Sequence, residues 1–119
     1  MPRVLVVDDE HLVSMMLADW LAELGCETLG PANTVAAALR LIDQAPVDAA
    51  ILDVSLGNEQ SYPVANELRR RRIPFAFATG HGAEVLAVPF KDAPLLSKPF
   101  EFRPFEAVVR TLVTERRRD

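Results

Sequence analysis

The chain has 119 residues, half of them hydrophobic and a quarter of them charged. This composition is typical of one globular domain and excludes an intrinsically disordered chain. The 17 acidic residues outnumber the 13 basic ones, and the resulting net charge of -4 argues against nucleic acid or an anionic membrane as a partner. The apolar runs are too short for a membrane-spanning helix, and the chain does not open like a signal peptide, so we expect a cytoplasmic protein.

The pattern of apolar residues alternates along the chain between short continuous runs and helical spacing. Continuous runs predict strands that are buried on both faces, as in a parallel sheet, at residues 4–7, 49–52 and 75–78. Weaker strands are predicted at residues 27–30 and 95–97. Apolar residues three and four apart predict amphipathic helices between the strands, at residues 13–24, 35–42, 64–68 and 105–113. Asn33 or Thr34 is the expected N-cap of the second helix.

This alternation predicts a doubly wound α/β domain, in which residues 1–119 form a five-stranded parallel sheet with helices on both faces. Gly80, Gly82, Pro89 and Pro94 interrupt the segment between the fourth and fifth predicted strands. Because glycine and proline disfavour a helix interior, residues 83–87 have room for a turn or two of helix at most. We therefore expect the fourth helix to be short, distorted or absent.

Polar residues directly follow the predicted strands. In parallel α/β sheets the binding crevice lies outside the carboxyl ends of the strands, so these residues are expected to converge at one edge of the sheet. They are Asp8, Asp9 and Glu10 after the first strand, Asp53 after the third, Thr79 after the fourth and Lys98 after the fifth.

Each of these positions also has a purely structural interpretation. Asp8 and Asp9 could cap a helix, Asp53 could begin a turn, Thr79 could simply end a strand, and Lys98 could be a surface lysine. As a group, however, the aspartates need a cation, because two carboxylates about 4 Å apart repel by roughly 4 kcal/mol at an effective dielectric constant near 20. Mg²⁺ prefers oxygen ligands and keeps several waters, which suits a shallow site of this kind.

The arrangement resembles the receiver domain of two-component response regulators. The residues that carry the resemblance occupy matching strand ends over essentially the whole chain: Asp8-Asp9, Asp53, Thr79 and Lys98-Pro99-Phe100. Residues 74–80 also resemble the motif of the single-domain FATGUY subgroup, from which His81-Gly82 departs. The resemblance implies the strand order 2-1-3-4-5 of flavodoxin-like sheets and a receiver without an output domain.

The resemblance also implies a Mg²⁺ site and a phosphoryl acceptor rather than an enzyme. Asp53 would accept a phosphoryl group from a sensor histidine kinase or a histidine phosphotransfer protein, in a Mg²⁺-dependent phosphorelay reaction. Asp9, Asp53 and the backbone carbonyl of Ser55 would ligate the metal, and Asp8 would act mainly through water. Output would follow from contact with a downstream protein target.

The resemblance extends to residues that would respond when Asp53 carries a phosphoryl group. Lys98 and Thr79 would contact the phosphoryl oxygens, and the peptide bond before Pro99 would be cis to aim the lysine. Leu95 lies where most receivers have an aromatic residue, so Phe75, Phe77 or Phe90 would have to replace that aromatic contact. His81, two residues after Thr79, is a candidate modulator of the lifetime of the aspartyl phosphate.

Two other classes of protein remain as alternatives. A receiver-shaped interaction module with a vestigial phosphorylation site would share the fold and lack the phosphoryl transfer. A flavodoxin-like cofactor binder or a small phosphatase fits less well, because the acidic run 8–10 would repel a bare phosphate. The basic runs 69–72 and 116–118 close predicted helices, where we expect hydrated arginines that complement the helix dipole.

Overall fold

The computed structural model describes residues 1–80 and 86–116. Its strands are β1 (Arg3–Val7), β2 (Glu27–Ala32), β3 (Ala49–Asp53), β4 (Ser55–Leu56), β5 (Glu59–Gln60), β6 (Phe75–Thr79) and β7 (Leu95–Ser97). Its helices are α1 (His11–Glu23), α2 (Val35–Gln44), α3 (Tyr62–Arg70) and α4 (Phe102–Arg116), with a short 3-10 turn at Val88–Phe90. Over these residues, no helix combines the length and the apolar character that crossing a membrane would require.

Five of the strands form one parallel sheet in the order β2-β1-β3-β6-β7. This confirms the predicted doubly wound sheet, because the order is 2-1-3-4-5 once the small hairpin β4-β5 is set aside. The hairpin itself was not predicted, since strands of two residues are too short to produce a periodic pattern. It lies directly after β3 and therefore beside the carboxyl end of the sheet.

Alternate residues of the strands pack on the two faces of the sheet, as expected for helices on both sides. Leu5, Leu52 and Phe77 belong to the core cluster that includes residues of α2 and α3. Val6 and Ile51 belong to the cluster that includes residues of α1 and α4. All five side chains are essentially inaccessible to solvent, and each stabilises the fold by roughly 1.5–3 kcal/mol through burial. The strands are thereby held rigidly, with their carboxyl ends at a common edge.

The start of α2 has two carboxyl or hydroxyl oxygens as partners. Thr34 is the N-cap, and its side chain accepts a hydrogen bond from the N–H of Ala37 at 3.1 Å. The carboxylate of Glu59, on the hairpin, accepts a second bond from the N–H of Val35, also at 3.1 Å. The helix start is therefore connected to the segment that follows β3.

The connection between β6 and β7 contains the 3-10 turn in its described part. The helical turn predicted at residues 83–87 lies largely outside the described residues, as does His81. From residue 86 to β7 the chain forms the turn at Val88–Phe90 and then enters β7 directly after Pro94.

Candidate functional site

Four chain segments bring charged or polar residues to the carboxyl edge of the sheet. Asp53 is the last residue of β3, Thr79 is the last residue of β6, Asp8 follows β1, and Lys98 follows β7. Parallel pairing aligns these ends, since Asp53 lies opposite Ala78 and Thr79 lies opposite Ser97. Residues that are distant in sequence therefore share one site, at the place where ligands bind in open α/β sheets.

Lys98 lies at the centre of this site. Its ammonium nitrogen donates hydrogen bonds to Asp53 Oδ2 and Glu10 Oε1, both at 2.9 Å, and lies 3.5 Å from Asp8 Oδ2. Its backbone N–H donates to the carbonyl oxygen of Thr79 at 3.0 Å, which attaches the lysine to the end of β6. One ammonium thus faces three carboxylates, and the site carries an excess of negative charge.

The two innermost carboxylates are buried. Asp8 and Asp53 expose 3% and 7% of their surface, so ionising them away from water is unfavourable. Burial raises the pKa of the Asp53 carboxyl, against the opposing effects of Lys98 and the backbone N–H of Ser55, and the neighbouring charge of Asp9 raises it further. Burial also raises the pKa of Asp8, whose Oδ1 accepts a hydrogen bond from the N–H of Glu10 at 2.8 Å.

Burial shifts the pKa of Lys98 in the direction opposite to its effect on the two carboxyls. Desolvation by itself lowers the pKa of the ammonium, but the hydrogen bonds to Asp53 and Glu10 outweigh it and raise the pKa above its ordinary value. Lys98 is therefore fully charged at neutral pH. A permanent positive charge beside Asp53 is suited to attracting an anionic group to that carboxylate.

An open cavity of about 410 Å³ lies over Asp53. Asp9, which is exposed, and Ser55 line this cavity, as do Glu10, Gly57, Thr79, Gly80 and Lys98. Another cavity, of about 420 Å³, is lined by Arg69, Arg72, Asp92 and Glu115 among others. Its positive and negative side chains balance, so the excess of carboxylates distinguishes the cavity over Asp53.

The observed cluster of carboxylates differs in one member from the carboxylates predicted to hold a metal ion, which are Asp8, Asp9 and Asp53. Asp8, Glu10 and Asp53 each place a carboxylate oxygen within 4.8 Å of the others, a spacing at which one cation could contact all three. Asp9 is not in this cluster, although it lines the same cavity. Glu10 was expected at this edge of the sheet but was not predicted as a metal ligand. Its position in the acidic run 8–10 is the signal that could have identified it.

The remaining predicted residues occupy defined places around the site. Thr79 is buried at the end of β6, and the Lys98–Pro99 peptide bond is cis. Leu95 lies on β7 opposite Phe77 and is half-buried against the core, at the far end of β7 from Lys98. His81 falls outside the described residues.

Comparison with known proteins identifies the family. The response regulator receiver domain matches residues 4–110 of this chain. The chain belongs to that family. Receiver domains bind Mg²⁺ at an acidic pocket and interact with histidine kinases and downstream effectors.

Two solved structures illustrate the similarity. The solution structure of SdrG from Sphingomonas melonis Fr1 is 42% identical, with a TM-score of 0.83, over 95% of this chain and 97% of that one. The crystal structure of the response regulator PhyR from Brucella abortus is 27% identical, with a TM-score of 0.82, over 94% of this chain and 47% of that one.

Curated relatives are longer than the matched region. The transcriptional regulatory protein PdtaR of Mycobacterium tuberculosis is 32% identical over 82% of this chain and 50% of its own length. The sensory transduction protein LytT of Bacillus cereus is 34% identical over 94% of this chain and 46% of its own length. The chain therefore spans about half the length of the curated relatives that it matches.

Proposed function

We propose that this chain is a phosphorelay receiver whose Asp53 accepts a phosphoryl group from a histidine kinase or a histidine phosphotransfer protein. The observation that carries the proposal is the contact between the buried carboxylate of Asp53 and the ammonium of Lys98, at 2.9 Å, beside an open cavity. A carboxylate oxygen of Asp53 attacks the phosphorus atom, the bond from phosphorus to the histidine nitrogen breaks, and an acyl phosphate forms. This reaction depends on positioning and charge compensation more than on covalent catalysis.

The neighbouring side chains have separate roles in this proposal. Lys98 is already in contact with the attacking carboxylate, so it is placed to compensate the negative charge of the incoming phosphoryl oxygens. The hydroxyl of Thr79, at the adjacent strand end, donates a hydrogen bond to one of those oxygens. The cavity is open on the solvent side, which allows the histidine of a partner protein to reach Asp53.

Mg²⁺ fits the donors that line the site. All of them are hard oxygen ligands, and the mutual repulsion that contributes to the raised pKa of Asp53 and Asp8 is the kind that a divalent cation relieves. Asp9, Asp53 and the carbonyl of Ser55 would hold the ion, with Asp8 acting through water and Glu10 adjacent. When bound, the ion would supply charge stabilisation for the transferred phosphoryl group.

The proposal extends to the protein's place in signalling. The chain acts as a phosphoacceptor rather than as an enzyme with a separate substrate, and it operates in the cytoplasm. Its partners are a phosphohistidine donor and a downstream protein, which it contacts directly.

Intact mass spectrometry tests the phosphoryl acceptor. The wild-type chain is incubated with Mg²⁺ and acetyl phosphate beside Asp53→Asn, which preserves shape and removes the nucleophile, and beside Asp92→Asn as a control for the loss of one carboxylate. We expect a gain of one phosphoryl group in the wild type and in Asp92→Asn, and none in Asp53→Asn.

Other outcomes point elsewhere. A gain in Asp53→Asn equal to that of the wild type would place the acceptor at another residue. A failure to gain mass, repeated with several purified histidine kinases and combined with no thermal stabilisation by Mg²⁺, would favour the interaction module with a vestigial site.

A further inference from the structure

A cluster of aromatic rings lies between α3, β6 and the 3-10 turn at Val88–Phe90. The ring of Tyr62, at the start of α3, stacks on Phe90 with a centroid separation of 5.4 Å and an interplanar angle of 4°. The same ring also packs against Phe77 of β6 in a T-shaped arrangement, with a centroid separation of 5.7 Å. Both separations lie in the range of favourable aromatic pairs. Tyr62 therefore fills the space between the sheet and the turn.

The hydroxyl of Tyr62 adds a directional contact to this packing. It accepts a hydrogen bond from the backbone N–H of Ala87 at 3.0 Å. The carbonyl of Ala87 in turn accepts from the N–H of Phe90 at 2.8 Å, which closes the 3-10 turn. The hydroxyl thus holds the residue at which the turn begins.

Arg69 holds the same turn from the other end of α3. Its Nη1 donates to the carbonyl oxygen of Pro89 at 2.7 Å, and its guanidinium lies 4.5 Å from the centroid of the Phe90 ring. Seven residues separate Arg69 from Tyr62, which is about two helical turns, so both side chains project from one side of α3. The arginine is exposed, as expected from its sequence, but it has a specific role in attaching the turn to the helix.

Short backbone contacts connect Tyr62 to the phosphorylation site. Its neighbour Ser61 donates from its N–H to the carbonyl of Val54 at 3.0 Å, and Val54 directly follows Asp53. Ser61 and Val54 are both buried, so this contact is shielded from water. On the other side, Phe77 precedes Thr79 by two residues and belongs to the same face of β6. Tyr62 therefore touches β6 directly, and its neighbour Ser61 connects it to the segment that follows β3.

We propose that Tyr62 is the positioning residue through which phosphorylation of Asp53 changes the attachment of the turn at Val88–Phe90. The inference rests on the proposed function, since it needs Asp53 to be loaded. Leu95 lies at the position where the resemblance to receivers implies an aromatic residue, and it has no ring with which to make such a contact. In this chain the aromatic contact comes from α3 instead of β7.

The other attachments of the turn determine how the hydrogen bond between Ala87 and Tyr62 changes. The chain that runs from the turn to β7 is attached independently of Tyr62, because the carbonyl of Phe90 accepts from the N–H of Ala93 at 3.0 Å and the carbonyl of Pro94 accepts from the N–H of Phe77 of β6 at 2.9 Å. A shift of the segment after Asp53 moves Ser61 and Tyr62 relative to this fixed turn. The hydrogen bond from Ala87 to the Tyr62 hydroxyl then lengthens, and the amide of Ala87 becomes more accessible to exchange.

Amide hydrogen exchange at Ala87, resolved by NMR, tests the proposal on the full chain. The rate is compared with Mg²⁺ alone and with Mg²⁺ plus beryllium fluoride, a stable mimic of the phosphoryl group on a carboxylate. In the wild type we expect loading to accelerate exchange at Ala87 by about fivefold, the effect of losing one hydrogen bond. Tyr62→Phe, which keeps the ring and removes the hydroxyl, should exchange rapidly in both states, so that the ratio falls to near one.

A matched control removes a hydroxyl elsewhere. Thr111→Val deletes the bond from Thr111 Oγ1 to the carbonyl of Ala107 on α4 and should keep the wild-type ratio at Ala87. Phe90→Leu keeps the hydroxyl but removes the stacked ring, and it should reduce the ratio as well. A ratio in Tyr62→Phe equal to that of the wild type would show that the hydroxyl only stabilises the turn, and it would overturn the proposal.

The intact mass of each variant after treatment with acetyl phosphate separates this inference from the proposed function. Phosphorylation of the wild type with unchanged exchange at Ala87 overturns the role of Tyr62 and leaves Asp53 as the acceptor. Absence of phosphorylation and of any response to beryllium fluoride overturns both together.

Discussion

Arg71, directly after α3, donates a hydrogen bond from Nη1 to the backbone carbonyl oxygen of Ile42 on α2 at 3.0 Å. Its guanidinium also pairs with Asp43 on α2 and with Glu67 on α3. The arginine therefore connects two helices on the same face of the sheet. A basic run that we expected to be merely hydrated contributes in this way to tertiary structure.

Glu67 gives this contact a pH dependence. The hydrogen bonds from Arg70 and Arg71 lower the pKa of the Glu67 carboxyl from 4.5 to about 2. A carboxyl whose pKa is lower in the folded state stabilises the fold fully above its unfolded value, and this stabilisation is lost as the pH falls from about 4.5 toward 2. We expect Glu67→Gln to lower the thermal unfolding midpoint at pH 7 by roughly 1–5 °C, with the difference shrinking below pH 4.

Calorimetry from pH 7 to pH 3 measures this difference. Glu106→Gln is the matched control, because Glu106 pairs with Arg103 and Arg110 within α4 and has no ion pair with a second helix among the described residues. If the difference in unfolding midpoint between Glu67→Gln and the wild type stayed constant down to pH 3, the ionised carboxylate of Glu67 would not be the source of the stabilisation.

Asp53 should destabilise the metal-free protein at neutral pH. Burial raises the pKa of its carboxyl, so the folded state binds a proton more tightly than the unfolded state does. Its contribution to stability is therefore greatest below the ordinary value of 3.8 and is lost as the pH rises through the folded pKa. We expect Asp53→Asn to raise the unfolding midpoint at pH 7 in the presence of EDTA, with the gain disappearing near pH 3.8.

Thermal unfolding at several pH values checks this expectation. Asp19→Asn makes the same chemical change on the exposed side of α1 and should leave the midpoint nearly unchanged. If Asp53→Asn is less stable than the wild type at pH 7, the ion pair with Lys98 outweighs the cost of burying the charge.

Mg²⁺ binding should depend more on Asp9 than on Glu10. In the proposed site Asp9 ligates the ion, whereas Glu10 is bonded to Lys98. We expect Asp9→Asn to weaken the apparent affinity for Mg²⁺ by at least about tenfold, and Glu10→Gln to change it much less. A titration of the unfolding midpoint with Mg²⁺ measures both affinities. The reverse order would assign the ion to the cluster of Asp8, Glu10 and Asp53.

Gly30 should tolerate replacement less well than Gly25, although both have a positive φ. Its φ is +99°, and a Cβ atom there would lie 2.8 Å from the nitrogen of Ala32 and 3.0 Å from the oxygen of Val6. Gly25 has a φ of +77° but has open space around the same position. We expect Gly25→Ala to cost about 1–2 kcal/mol of unfolding free energy from backbone strain alone, and Gly30→Ala to cost more. Urea denaturation measures both values, and equal costs would show that the contacts around Gly30 relax.

Much of the fold could be predicted because buried strands and helices produce local patterns of apolar residues in the sequence. Residues 49–52 and 75–78 are continuously apolar because both faces of β3 and β6 are covered, and their bounds differ from the observed strands by one residue. The amphipathic helices were identified from the spacing of residues such as Leu17 and Leu21, both fully buried. The hairpin at Ser55–Gln60 produces no such pattern, because so few residues contribute to it.

The sequence by itself determined which residues reach the carboxyl edge of the sheet, because Asp8, Asp53, Thr79 and Lys98 each end or directly follow a strand and parallel strands end together. Only the tertiary structure decided which side chains they meet. Lys98 bonds to Glu10 across 88 positions, and Tyr62 stacks on a ring 28 positions away. Periodicity reports whether a residue is buried, but the identity of its partner depends on how separate elements pack in space.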